Sequence, residues 1–324
     1  MNPLATLFGL GVGARNALYD HGFLKTRRLQ WPVVSIGNIR AGGTGKTPFA
    51  IHLGKLLQQK GIAFDVLSRG YGRDNEKSIK LVDPKGSPAE FGDEPLLMSQ
   101  KLGVPVIVSA DRFAAGRFAE RMFANMKPAH GGKWVHLLDD GFQHRRLHRD
   151  FDIVLISATD AADSLLPAGR LREPLAALHR ADAIVLVDDA RGVGMRLEAQ
   201  HIWHAHREVD VSDLSARPVA FCGVANAERF FDDLRVAGIE VAGERAFPDH
   251  HHYSATDIRD LAALGEKNNA DGFVTTEKDL INLRRVSPDL LQQLRPLKAV
   301  SMQLVLEDPE AALVAILQAC AIPQ

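Results

Sequence analysis

Gly37-Asn38-Ile39-Arg40-Ala41-Gly42-Gly43-Thr44-Gly45-Lys46-Thr47-Pro48 is the stretch that decides the fold. A short apolar run, Pro32-Val33-Val34-Ser35-Ile36, leads into it, and a helix-like run from Phe49 to Gln59 leaves it. Strand, glycine-rich turn and helix is the order a phosphate-binding P-loop requires. Glycines let successive backbone N–H groups converge on phosphate oxygens at a helix N-terminus. In this reading Gly42, Gly43, Thr44 and Gly45 cradle phosphates and Lys46 adds a point charge. The Thr47 hydroxyl would ligate Mg²⁺. The strict pattern G-x-x-x-x-G-K-[ST] asks for glycine at position 40, where this chain carries Arg40. The loop is therefore a deviant P-loop.

Outward from that loop, apolar strand-like runs alternate with helix-like segments, which argues for an α/β fold with a mainly parallel sheet. Strands are expected at 32–37, 62–68, 104–109, 134–138, 151–157 and 182–188, and helices at 46–60, 95–102, 111–126 and 174–180. The polar stretch Arg207 to Asp213, with Ser215-Ala216-Arg217-Pro218 after it, reads as a linker. A second alternation follows, with strands at 219–222, 239–246 and 272–275, helices at 226–237 and 255–267, and a strand–helix pair over 299–318. The organisation expected is an N-terminal apolar helix (1–24), a P-loop kinase domain (25–208) and a smaller α/β domain (217–324). Ligands should sit at the carboxyl ends of the strands.

The 324 residues are enough for one large or two ordinary domains. Hydrophobic content of 46% and charged content of 24% are those of a soluble globular protein. A formal net charge of −1 supplies no basic field for nucleic acid. The two cysteines, Cys222 and Cys320, stand far apart in apolar surroundings, which fits a reducing compartment and excludes a cysteine-based zinc site.

Several constellations carry chemistry. Trp134 to Leu138 is an apolar strand ending in Asp139-Asp140-Gly141-Phe142-Gln143-His144, the form of a Walker-B-type Mg²⁺ site, although Asp-Gly is also a common turn pair. Arg69-Gly70-Tyr71-Gly72-Arg73 closes another strand and suits an anion or a solvated turn. In Gly92-Asp93-Glu94-Pro95 the acid is either a helix cap or a catalytic carboxylate near the nucleotide. Phe247-Pro248-Asp249-His250-His251-His252-Tyr253 offers adjacent histidines whose side chains diverge. That favours one imidazole acting as a base, or as partner to an acid, over a metal site. Pro167 to Pro174 places Arg170 and Arg172 in a loop suited to a phosphate or sugar. Thr275-Thr276-Glu277-Lys278-Asp279 lacks the [NT]-K-x-D order of guanine readers.

The N-terminal residues 3–14 are uncharged and mostly apolar, too few for the roughly 20 a spanning helix needs. No basic region precedes them and no convincing cleavage site follows, which argues against a signal peptide. Leu4, Leu7, Phe8, Val12 and Leu18 can share one helical face, with Arg15, Lys25, Arg27 and Arg28 nearby. A helix packed on its own domain and an interfacial helix on an anionic membrane both fit.

The glycine loop, Ser68 to Arg73, Gly92 to Pro95, Asp139 to His144, Leu171 to Pro174, Phe247 to His250 and Thr276 to Asp279, in this order, resemble the tetraacyldisaccharide 4′-kinases, the lipid A 4′-kinases of Gram-negative bacteria. In that family the first glycine of the strict P-loop is usually absent too. The resemblance implies transfer of the ATP γ-phosphate to the 4′-hydroxyl of an acylated glucosamine disaccharide 1-phosphate. It makes Lys46 and Thr47 the phosphate and Mg²⁺ contacts, places Asp139 and Asp140 at the metal, and makes Asp93 the general base supported by His250. Gln143, Arg172 and Glu173 become nucleotide or substrate contacts. It further implies a protein at the cytoplasmic face of the inner membrane. The N-terminal segment is shorter and more glycine-rich than the family's helix, which favours peripheral attachment. Two other readings fit the loop and the acids: a P-loop ATPase switching a protein partner, and a soluble small-molecule kinase.

Overall fold

The structure, a computed structural model, describes residues 2–126, 134–188 and 199–322. Twelve strands form one sheet in the order β10-β9-β11-β12-β8-β7-β6-β1-β5-β2-β4-β3. Helices cover both faces. At its centre lie β1 (Val33–Asn38), β5 (Val135–Asp139) and β6 (Phe151–Ser157), each paired in parallel with β1 or flanking it. These strands are almost wholly buried because helices cover both faces, and a doubly covered parallel strand reads as a continuous apolar run. β2 (Phe64–Ser68), β4 (Val106–Val108) and β3 (Lys80–Leu81) extend one side, and β7 (Ala183–Val187) and β8 (His201–Asp210) the other.

The expected linker is where the structure departs furthest from the sequence reading. Residues 207–210 belong to β8, which pairs with β7 in parallel and with β12 (Leu297–Leu306) in antiparallel register. Its charged residues hid it. Trp203 and Ala205 alternate inward while the polar neighbours face out, so its polarity is that of a half-exposed strand. Other boundaries shift less. The segment at 174–180 is a 3₁₀ turn, Leu175–Arg180, the helix expected over 111–126 ends at Met122, and the strand at 239–246 shortens to β10 (Gly243–Ala246).

β12 decides the architecture. Its first part, Leu297 to Val300, pairs in parallel with β11 (Phe273–Thr276), and its second part, Ser301 to Leu306, pairs antiparallel with β8. Thr276 lies opposite Val300 and Asp210 opposite Ser301, so the carboxyl ends of both halves of the sheet meet at the middle of this strand. Loops from both halves, including those after β9 (Val219–Cys222) and β11, therefore open onto one cleft.

Helix α2 (Lys46–Gln59) buries Phe49, Ala50, Leu53 and Leu57, spaced for one face, against the sheet. The C-terminal helix, Pro309–Ala319, buries Ala312, Leu313, Ile316 and Leu317 in that same core, so the chain's last element packs on its first half. Gly37, on β1, is required by close approach: a Cβ there would stand 2.5 Å from the Phe142 Cβ and 2.8 Å from its backbone nitrogen. Gly37→Ala is expected to destabilise the fold by about 1–3 kcal/mol, measured as a lower urea midpoint with unchanged slope.

Helix α1 (Pro3–Asp20) is capped by Asn2, whose Oδ1 accepts from the Leu4 N–H at 3.0 Å. None of its residues is buried, and Leu4, Leu7 and Leu10 are 61–67% exposed. The single apolar face expected for it is split: Leu4, Leu7 and Leu18 are exposed, while Phe8 and Val12 are half-buried on the side toward the body. Among the described residues no helix is long and apolar enough to cross a membrane.

Candidate active site

The glycine loop joins β1 to α2 at the carboxyl edge of the sheet. Gly42 (φ 97°) and Gly45 (φ 85°) occupy the left-handed region open to glycine. Asn38 Nδ2 donates to Thr44 Oγ1 at 2.6 Å and braces the turn from inside. Gly45 offers no side-chain cap, so the first N–H groups of α2 stay free for an anion beside Lys46 and Thr47.

Arg40, the residue that breaks the strict pattern, turns away from this cradle. Its guanidinium donates to Thr159 Oγ1 at 2.7 Å and to Asp160 Oδ1 at 3.1 Å, and it stands 3.9 Å from Asp163. The Ala41 N–H donates to the Arg170 carbonyl at 2.8 Å. Position 40 thus ties the loop to the 159–171 segment. Arg40→Gly, which restores the strict pattern, is expected to cost about 1–3 kcal/mol of stability by stripping buried Asp160 of its charged partner, with no gain in turnover. Thermal melts and steady-state rates check both halves of that expectation.

Asp139 and Asp140 end β5 directly beside the loop. Asp139 is buried; its Oδ2 accepts from Ser68 Oγ at 2.9 Å, and its Oδ1 has no hydrogen-bond partner. Burial, then the charges of Glu94 and Asp140, raise its carboxyl to about 7. Asp140 sits at φ 48°, a strained position for a non-glycine residue. It accepts from Arg172 at 2.9 Å and pairs with Lys46 at 3.4 Å. Burial works against its ionisation, but these two cations more than offset it and hold it at about 2.

Gln143 lines the cleft, donating through Nε2 to the Asn38 carbonyl at 2.8 Å and to Glu173 at 3.0 Å. Glu173 is only 2% exposed and does not line the cleft. Its carboxylate is taken up by Gln143, Arg180 (2.6 Å) and Asn16 (2.7 Å).

The opposite wall joins both halves, Asp93 and Glu94 from the first and His250 and Lys278 from the second. His250, at φ 57°, donates from Nδ1 to Asp93 Oδ2 at 2.9 Å, although the two residues lie 157 positions apart. Asp93 is the first residue of helix α3 (Asp93–Leu102), not its cap; Gly92 takes that place. The carboxylate also accepts from the Glu94 N–H at 2.9 Å and from Asn282 Nδ2 at 3.1 Å. Burial alone would raise Asp93, but the His250 hydrogen bond and the Lys278 charge bring it to about 2. Burial pulls His250 down, and the Asp93 carboxylate more than reverses it, so the imidazole lies above its ordinary value.

Three contributors were not singled out from sequence. Lys278 Nζ reaches His250 Nε2 (3.2 Å), Asp249 (2.9 Å) and Glu94 (3.7 Å). Glu94 lines the cleft and faces the Asp139 charge. Buried Arg112 places a guanidinium near Asp139 and Asp140. Glu94 stood next to Asp93 and Lys278 lay within the Thr276 to Asp279 motif, whose role the sequence left open, whereas Arg112 had no local signal. The arginines of the 69–73 turn divide: Arg73 is buried, donating to the Glu76 carbonyl at 2.7 Å, and Arg69 lines the cleft. His251 stacks on Phe247 with centroids 4.6 Å apart and bonds Asp257 at 3.1 Å, so it serves its own loop.

The cleft between these walls holds about 1000 Å³. An anion cradle with a lysine on one wall and a carboxylate–imidazole pair on the other suit the transfer of a phosphoryl group to a hydroxyl. Fold and site together place the chain among the α/β phosphotransferases.

The chain belongs to the tetraacyldisaccharide-1-P 4′-kinase family, whose family model matches residues 1–321. The tetraacyldisaccharide 4′-kinase of Koribacter versatilis is 49% identical over 323 residues, covering 97% of this chain and 96% of the relative. That of Aquifex aeolicus is 37% identical over 298 residues, covering 87% and 89%. The crystal structure of Aquifex aeolicus LpxK in complex with ATP superposes with a TM-score of 0.76 at 33% identity, covering 98% of this chain and 97% of that one.

Proposed function

We propose that the chain is the kinase its family name describes, moving the γ-phosphate of ATP to the 4′-hydroxyl of an acylated glucosamine disaccharide 1-phosphate. The observation that carries this reading is the Asp93–His250 pair facing the glycine loop across one cleft. A protein-switching ATPase has no need of such a pair.

Gly42 to Gly45 and the start of α2 receive the phosphates, and Lys46 lies against them. Arg172 and Gln143 border the same space, and Glu173 acts through them rather than by contact. Thr47 and Asp139 fit Mg²⁺, with Asp140 beside them: the partnerless Asp139 Oδ1 is a hard oxygen donor aimed at the cleft side of β5. Among the described residues no group of three or more acidic, histidine or cysteine ligands gathers, which suits an ion that shares its shell with phosphates and water. When bound, Mg²⁺ neutralises the charge on the transferring phosphate.

Proton removal falls to the Asp93–His250 pair. Asp93 is saturated with hydrogen bonds and does not line the cleft, whereas His250 does. Lys278 Nζ donates to His250 Nε2 at 3.2 Å, which marks that nitrogen as the unprotonated one. Its lone pair receives the hydroxyl proton once Lys278, held also by Asp249 at 2.9 Å, releases it. The acceptor hydroxyl proton goes to the imidazole, the sugar oxygen forms the new P–O bond, and ADP leaves with the bonding pair. Tyr71, 59% exposed with its ring 5.4 Å from His250, and Arg69 stand where the acceptor enters.

The exposed leucines of α1, with Lys25 and Arg28 beside its C-terminal end, support peripheral attachment to an anionic membrane surface, at the cytoplasmic face where ATP is available. The parts assigned are a helix at 1–24, a kinase unit at 25–208 and a smaller unit at 217–324 that brings His250 and Lys278.

The test is direct. Purified protein with ATP, Mg²⁺ and tetraacyldisaccharide 1-phosphate is expected to yield a product 80 mass units heavier (about one phosphoryl group), phosphorylated at the 4′ position. Folded protein giving no such product would overturn the reading. Lys46→Ala is expected to lower kcat by about 10²-fold or more.

A further inference from the structure

Helix α1 touches the body with a stripe of half-buried residues, and its polar contacts go to Gln143, which lines the cleft, and to Arg145 and Glu173. Arg15 donates to the Gln143 carbonyl at 3.0 Å, and Arg145 donates to the Asn16 carbonyl at 3.0 Å and to Asp20 at 2.6 Å. Of the three helix residues in these contacts, Arg15, Asn16 and Asp20, Asn16 alone is half-buried. Its Nδ2 donates to Glu173 Oε2 at 2.7 Å while its Oδ1 faces Arg145 at 3.5 Å, so the amide is oriented at both ends.

From Asn16 the contacts run without a gap to the glycine loop. Glu173, on its other oxygen, receives Gln143 at 3.0 Å; Gln143 Oε1 accepts from Arg172 at 3.4 Å; Arg172 donates to Asp140 at 2.9 Å; and Asp140 pairs with Lys46 at 3.4 Å. Glu173 cannot leave this arrangement cheaply. It is a buried carboxylate, and each donor lost leaves charge less compensated.

We propose that Asn16 is a positioning residue for phosphoryl transfer: α1, seated on the segments carrying Gln143 and Glu173, holds Arg172 at Asp140, so unseating the helix loosens the phosphate site. The helix is then part of the machinery and not only an attachment device. This rests on the kinase reading for its consequence in turnover, but its first consequence, nucleotide affinity, does not involve the lipid at all.

The experiment uses the full chain with Asn16→Asp, which sets a second carboxylate against Glu173, Asn16→Ala, which removes the donor without adding charge, and Asn16→Gln, which keeps an amide. Affinity for ATP with Mg²⁺ is measured by calorimetry without lipid, kcat with saturating lipid acceptor in micelles, and partition onto phosphatidylethanolamine–phosphatidylglycerol vesicles by sedimentation. Asn16→Asp is expected to weaken ATP binding and lower kcat, each by roughly 3- to 30-fold, with Asn16→Ala at the low end. Asn16→Gln should recover most of the loss, and vesicle partition should match the wild type in all three. If Asn16→Asp fails to fold by circular dichroism, Asn16→Ala and Asn16→Gln are read in its place. ATP affinity and kcat within twofold of wild type in the folded variants would overturn the proposal, as would a loss confined to vesicle partition. Inactive wild type with normal ATP binding would instead indict the lipid kinase reading and leave the affinity test standing.

Discussion

Asp93→Asn and His250→Ala are each expected to lower kcat by about 10²–10⁴-fold, the usual worth of positioned acid–base catalysis. The double variant should be no worse than the weaker single variant, because two residues that act as one unit lose the same function when either is removed. The geometry supports this: the Asp93 carboxylate accepts from the imidazole Nδ1 at 2.9 Å and fixes the tautomer whose Nε2 carries no proton. Multiplicative losses in the double variant would show that the two residues act separately.

The pH dependence carries a sign that can be checked in the same series. His250 is raised above its ordinary value because the Asp93 carboxylate outweighs burial. A base must be unprotonated, so kcat/KM for the wild type should climb with pH through a limb lying above about 6.5, the unperturbed histidine value. Asp93→Asn removes the charge that favours the imidazolium, so its limb should move to lower pH. A limb that does not move would place the titrating group elsewhere.

The largest stability effect is expected far from the cleft, at the other end of β5. His136, fully buried, bonds Asp65 at 2.8 Å and stands 3.8 Å from Glu120, and its ring lies tilted against Trp31 with centroids 5.1 Å apart. Burial keeps Asp65 above the usual carboxylate range and by itself lowers an imidazole, but the Asp65 carboxylate on Nδ1, with Glu120 nearby, outweighs burial and lifts His136 to about 9. His136→Ala strands buried Asp65, while Glu120 keeps Arg117 and the Trp31 N–H, each at 3.0 Å, and is expected to cost about 3–5 kcal/mol in chemical denaturation. The pH test follows from linkage. A histidine raised in the folded state contributes stability that is fully present below about 6.5 and is lost as pH rises through the folded value near 9. Wild-type stability should therefore fall between neutral pH and about 9.5, and His136→Ala should lack that component. A parallel decline in the variant would assign the effect to other groups.

Much of the site was legible because its signals are local. A glycine turn between a strand and a helix has few other uses, and acids at the end of an apolar strand next to it narrow the chemistry further. Gly42 to Thr47 and Asp139-Asp140 are each contiguous, so backbone geometry alone brings their atoms together. The strands of the first half were legible for a related reason: burial on both faces leaves an unbroken apolar run.

What the sequence left open is what depends on partners far along the chain. Asp93 was as good a helix cap as a catalytic acid until His250, Asn282 and Lys278 arrived from the other half. Arg40 read as a defect in a motif until Asp160 and Asp163 appeared beside it. The polar segment 207–210 read as a linker because a strand exposed on alternate residues cannot be told from a loop without its neighbours. Those neighbours are β7 and β12, and in the second pairing His206 meets Val305, 99 positions further along the chain.

By itself, then, the amino-acid sequence determined the family, the α/β alternation and the phosphate cradle, since each is written in residues that touch their sequence neighbours. Only the tertiary structure decided that both halves of the sheet turn their carboxyl ends toward the middle of β12. That arrangement brings His250 of one half onto Asp93 of the other, facing the glycine loop across the cleft, and it lets α1 reach Asp140 through Glu173, Gln143 and Arg172. Hydrogen bonds and charges act over a few ångströms whatever the separation in sequence, so these relations exist only once the chain has folded.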